Sequence, residues 1–180
     1  WYVEVFDTED ELVAIATILT MVQKKQTVFT EMTSEKIEEC LYKLSENSKA
    51  QWGTMTAQHM LEHLEYAYRI ASGEINGFEI ATPEKYLEKT HDSLYSFDRF
   101  PEGHNFPLAE MSNIENLIHS DLETAKKMLL EAREEYLEYF KENPDAKTRN
   151  VVFGELNKFE WYLLERKHLN HHFKQFNLID

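Results

Sequence analysis

The chain has 180 residues, enough for one ordinary domain, and 42% of them are hydrophobic, with 11 Phe, 9 Tyr and 3 Trp to fill a core. A net charge of −14 argues against nucleic acid or an anionic membrane as partner, because both need basic surface. No apolar run approaches the ~20 residues of a membrane span, the first residues carry Glu4, Asp7, Glu9, Asp10 and Glu11 in place of a basic leader, and the single Cys40 allows no internal disulfide. A cytoplasmic protein is therefore expected.

Residues 1–26 read as a β-hairpin. Trp1-Tyr-Val-Glu-Val-Phe6 is apolar and β-branched, Asp7-Thr-Glu-Asp-Glu11 is a polar turn, and Leu12 to Val22 again favours strand. A lone hairpin is marginal in water, so it must pack on something, and the rest of the chain offers no other clear strand. Unpaired strand edges recruit partners, so the hairpin is expected to pair with that of a second copy, or to lie on the bundle surface and seed a dimer, and either way to make a homodimer.

From Thr33 the hydrophobic period becomes helical. Ile37, Cys40, Leu41 and Leu44 share a face, with Thr33 or Ser34 as cap. A second helix, capped by Thr54 or Thr56, runs to about Ser72 on the face Ala57, Met60, Leu61, Leu64 and Ala67, and Gly73 ends it. Residues 73–112 are irregular and rich in turn residues. A short helix from Pro83, read as the first-turn proline, to about Leu94 interrupts them, and the rest reads as a long crossover. A long amphipathic helix is predicted from Asn113 to about Phe140. Its apolar positions include Ile114, Leu117, Ile118, Leu122, Ala125, Met128, Leu129, Ala132, Tyr136, Leu137 and Phe140. Asn143-Pro144 stops it. The last helix opens on the capping box Asn157-Lys-Phe-Glu160 and runs through Trp161, Leu164, His168 and His172 to about Phe176. The expected fold is all-α, a four-helix bundle over 34–180 with a long crossover, plus the N-terminal hairpin.

Five of the eight histidines fall in two of these helices. His59 and His63 are four apart, as are His168 and His172, and a spacing of four puts both rings on one helix face. Neutral imidazole is the commonest ligand for a borderline divalent ion, and three histidines with an open fourth position is a known catalytic zinc arrangement. On spacing alone, His168 could act with His171 or His172. His63 lies among Met60, Leu64 and Ala67 and should face inward. His59, one turn away, would line the mouth of the same site.

At these residues the chain resembles the DinB-like superfamily of metal-binding four-helix bundles, in a branch of unknown function. The shared stretches are Trp52-Gly53, Met55, Met60-Leu61 and His63, then Phe153-Gly154, Leu156, Trp161 and the segment His168-Leu-Asn-His171-His172-Phe-Lys-Gln175-Phe176. The resemblance spans about residues 34–178. It implies a metal site of His63, His168 and His172, with His171 turned away from the ion. It also implies zinc, nickel or iron, and in some members a transferase, isomerase or hydrolase activity in which the ion holds a low-molecular-weight thiol. Gln175 matches a position in the family, with no role assigned, and His59 departs from the pattern. The hairpin residues Trp1-Tyr-Val-Glu-Val5, Leu12-Val-Ala14 and Ile18-Leu-Thr-Met-Val22 resemble the closing strands of a MaoC-like enoyl-CoA hydratase domain, as in bifunctional proteins of phenylacetate degradation. That resemblance implies that the chain is the C-terminal piece of a longer protein and carries none of the hydratase's catalytic residues.

His59-Met-Leu-Glu62-His63 also fits the H-x-x-E-H pattern of inverted zinc proteases, a weak match on a Glu-rich helix. His91, His104 and His119 read as surface or loop residues, Cys40 as core packing, and Glu134, Glu135 and Glu138 as a solvated face. Two function classes remain: a metal-dependent enzyme acting on a small electrophile or thiol conjugate, or a non-catalytic accessory or oligomerisation module with a structural or vestigial metal site.

Overall fold

A computed structural model of the protein describes residues 29–103 and 116–180. The chain divides at Glu31, and the elements below belong to the unit Glu31–Asp180. The predicted hairpin over 1–26, and with it the expected dimer contact, lies outside the described residues, as do His104, Pro107 and Ile114.

The described unit is mostly helical. Helix α1 (Ser34–Lys43) starts at Thr33, whose hydroxyl accepts from the Lys36 amide, and buries Ile37, Cys40 and Leu41. Helix α2 (Ala57–Ala71) is capped by Thr56 and stops where Gly73 adopts φ +75°, a left-handed conformation that costs glycine nothing. Its predicted face is buried in full: Ala57, Met60, Leu61, Leu64 and Ala67 are each at most 4% exposed.

Helix α3 (Glu84–Asp92) begins one residue later than predicted. Pro83 is its cap residue, and the last predicted turn is a separate 3₁₀ turn, Ser93–Tyr95, that buries Leu94. The crossover behind it is tied down from the last helix: the buried Lys167 ammonium donates to the Ser93 and Asp98 carbonyls and the Ser96 hydroxyl at 2.9, 3.3 and 3.3 Å.

Helix α4 (Leu122–Glu142) corrects the sequence reading at its start. Asp121 accepts from the Thr124 amide at 2.7 Å, which fixes the first turn at Leu122 instead of Asn113. Leu117 and Ile118 precede that turn and are exposed, as is Leu137 within the helix. Of the rest of the stripe, Leu122, Ala125, Leu129, Ala132, Tyr136 and Phe140 are buried as the period requires, and Met128 is half-buried. Helix α2 packs most extensively on α4.

A second correction follows. Strands β1 (Lys147–Asn150) and β2 (Gly154–Asn157) form an antiparallel pair in register Thr148↔Leu156. Four-residue strands that read Lys-Thr-Arg-Asn and Gly-Glu-Leu-Asn carry no run of apolar alternation, so little in the sequence marks them. The turn is set by Asn150, whose side-chain oxygen accepts from the Val152 and Phe153 amides. Thr148 then anchors the pair in the core, donating to the Ala71 carbonyl and accepting from the Trp161 indole at 2.8 and 2.7 Å. The capping box of Asn157 and Glu160 forms as predicted and launches helix α5 (Lys158–Gln175).

Candidate metal centre

Helix α5 is buried on most of its surface, Trp161, Leu164, Leu169 and Phe173 included. Polar side chains on such a helix need partners inside the protein. His168 and His172 leave it from successive turns, and His63 approaches from the middle of α2. The Nε2 atoms of His63 and His168 lie 2.8 Å apart. Ring centroids are 4.8 Å apart for His63–His168, 4.9 Å for His63–His172 and 4.8 Å for His168–His172. One ligand nitrogen from each ring falls within 4.8 Å of the other two. The three rings are 5–8% exposed.

Burial sets their protonation. Desolvation pulls His63 down to about 4, with the nearby His171 adding to it. Desolvation, with the neighbouring histidines, holds His168 and His172 well below the usual range. All three are therefore neutral at pH 7, the form with a lone pair to give. The buried Nδ1 of His63 has no hydrogen-bond partner among the described residues.

The donor set fits a borderline divalent ion. Two nitrogens on one tetrahedral zinc, each bonded at about 2.0–2.1 Å, stand roughly 3.3 Å apart. The 2.8 Å between His63 and His168 is a hydrogen-bond distance, which an entering ion would replace with a slight separation of the rings.

Gln175 gains a role that its sequence position did not reveal. Its Oε1 lies 2.8 Å from Nδ1 of His172, and its Nε2 donates to the Trp52 carbonyl at 2.9 Å. With its amide oriented by Trp52, Gln175 can only accept from His172. That puts the proton on Nδ1 and leaves Nε2 as the free donor atom, the usual way a distal partner fixes a ligating histidine. Gly53 completes the arrangement. It sits at φ +76°, and a Cβ there would come within 3.2 Å of the Gln175 amide nitrogen.

The remaining histidines go elsewhere. His171 stays out of the ligand group, its ring edge-on to Trp52 and Phe100 with centroids 5.5 and 6.2 Å away. His59 is not in the ligand group either. Its Nδ1 meets the Thr56 hydroxyl at 2.9 Å, the capping-box position at which Glu or Gln is more usual. The protease-like motif fails on the same helix. Glu62 accepts from the Ile118 and His119 amides and from Gln58, at 2.8, 3.0 and 3.0 Å, so the motif's own carboxylate is already engaged. His119 is a loop residue as expected, yet it is held by Glu65 at 2.5 Å, and His91 lies on α3, 3.2 Å from Glu160. Cys40 is buried, donates to the Leu178 carbonyl and has its thiol pushed up by desolvation, as core packing requires.

Comparison with protein families, with curated proteins and with solved structures finds no match. The fold and the site define the class: a mostly helical protein with a small antiparallel hairpin and a buried cluster of three histidines able to hold a metal ion.

Proposed function

We propose that this chain is a DinB-like metalloprotein in which His63, His168 and His172 hold one zinc, nickel or iron ion, and that the centre acts on a small electrophile or thiol conjugate. The observation that carries the reading is the convergence of three neutral, buried imidazoles from two helices, one of them locked in its tautomer by Gln175. Two features are consistent with a ligating site: one nitrogen of each ring lies within 4.8 Å of the other two, and all three rings are buried. A divalent ion there lowers the pKa of a bound thiol or water and so supplies a nucleophile at neutral pH. The residues of this chain present the three nitrogens, keep them unprotonated and hold His172 in register.

One observation favours the second reading, a structural centre in an accessory or oligomerisation module. None of the three rings is more than 8% exposed, whereas catalytic centres keep one position accessible. Cobalt substitution separates the two. In a catalytic centre, titration with a low-molecular-weight thiol produces a thiolate-to-metal charge-transfer band. A cobalt spectrum unchanged by any thiol overturns the enzyme reading and leaves the structural one. Elemental analysis of protein purified without chelator tests both, since each requires a stoichiometric ion.

A further inference from the structure

One buried acid is left over by this account. Glu165 stands on α5 one turn before His168 and two turns before His172. Helical spacings of three and seven put it on the same face as both. It is 4% exposed, and neither carboxyl oxygen has a hydrogen-bond partner among the described residues. Buried carboxyls are almost always paired or hydrogen-bonded, so an acid with both oxygens unmet calls for a partner that enters later.

The surroundings narrow what that partner is. From α2 the electrostatic neighbour of Glu165 is Tyr68, and from α4 it is Tyr136. Both hydroxyls are pushed up by burial first and by this carboxylate second. Arg133 acts on the same two tyrosines, and burial pushes the Glu165 carboxyl up. Along its own helix the next inward groups are the histidines.

The centre has the opposite deficit. Three neutral histidines bring no negative charge, so a divalent ion held by them would carry its full charge into a desolvated interior. We propose that Glu165 is the charge-balancing partner of the ion held by His63, His168 and His172, and that its carboxyl gives up a proton to solvent as the ion enters. This rests on the metal reading above. The balance is simple: the protonated acid and the aqueous ion become carboxylate, bound ion and one proton in bulk water. Glu165 is a positioning and charge-balancing residue, not a catalytic one.

The test is calorimetric titration of the full chain with zinc in buffers of different ionisation enthalpy, which gives both the affinity and the number of protons released. E165Q keeps the size of the side chain and removes its charge. It should bind zinc about 10–100-fold more weakly, the usual cost of losing a group that supports metal ligands, and should release about one proton fewer per ion near neutral pH. A merely structural role would not change the proton count. E165L, which removes the polar group as well, keeps the test interpretable if the amide unfolds the chain, and it should show the same two changes. If E165Q or E165L binds zinc as tightly as the wild type and releases as many protons, this inference is overturned and the metal site stands. If the wild type takes up no zinc, the metal reading falls and this inference falls with it.

Discussion

The two histidine pairs have the same spacing and opposite fates. His168 and His172 both turn from α5 into the protein interior and converge on His63. On α2, His63 does so while His59, one turn earlier, is drawn into the cap with Thr56. The difference lies in where each pair sits along its helix. His168 and His172 occupy the later turns of an eighteen-residue helix whose start is already capped by Asn157 and Glu160. His59 is the third residue of its helix, where backbone amides lack partners and a nearby acceptor is captured. A spacing of four thus puts two rings on one face, and the distance to the helix end decides whether both are free to act there.

The sharpest way to break this comparison is to remove the rings one at a time. His63→Ala, His168→Ala and His172→Ala should each abolish stoichiometric metal in elemental analysis, whereas His59→Ala and His171→Ala should keep it. Loss of metal in His171→Ala with retention in His172→Ala would mean that the wrong face of α5 carries the site.

A second prediction uses burial. In the metal-free chain, His63 binds its proton only near pH 4 when folded, against 6.5 in the unfolded chain. The unfolded chain therefore takes up more protons in this window. The stability contribution is present above pH 6.5 and drains as pH falls toward 4, by about 3 kcal/mol for this ring at about 1.4 kcal/mol per unit. His168 and His172 shift in the same direction. Glu165 works the other way: desolvation pushes it up to about 8 from 4.5, so its contribution is lost as pH rises through 8. The stability of E165Q relative to wild type, from urea melts without metal, should therefore rise between pH 5 and pH 8. A flat difference would mean that Glu165 is solvated.

Gln175→Ala leaves all three ligands but frees the tautomer of His172. Metal affinity should fall about 10–100-fold with the fold intact by circular dichroism. Gly53→Ala should show a weaker version of the same loss, because its Cβ would crowd the Gln175 amide. The smallest effect belongs to the other member of the comparison. Thr56→Ala removes the α2 cap and should cost about 1 kcal/mol in chemical denaturation while leaving metal content unchanged.

Much of this was legible in the sequence. The caps at Thr33, Thr56 and Asn157, and the buried faces of α1, α2 and α5, follow from residue type and a 3.6-residue period, and they appear where expected. The inward set of His63 followed from its apolar neighbours. The choice of His172 over His171 needed the family resemblance, because three- and four-residue spacings both share a face. The start of α4 was misplaced because Leu117 and Ile118 extend its period by chance, while the signal that decides the boundary is a single hydrogen bond from the Thr124 amide to Asp121. The β1–β2 pair was missed because what holds it, Thr148 against Ala71 and Trp161, is a tertiary contact.

The sequence by itself determined which segments are helical, which faces they bury and that two of them carry histidines one turn apart, because each of these depends on neighbours within a few residues. Only the tertiary structure decided that His63 meets His168 across 105 residues, that Gln175 reaches back to Trp52, and that Glu165 has no hydrogen-bond partner among the described residues. Those facts depend on which helix faces lie together and at what level. Packing of whole helices sets that level, and no local period encodes it.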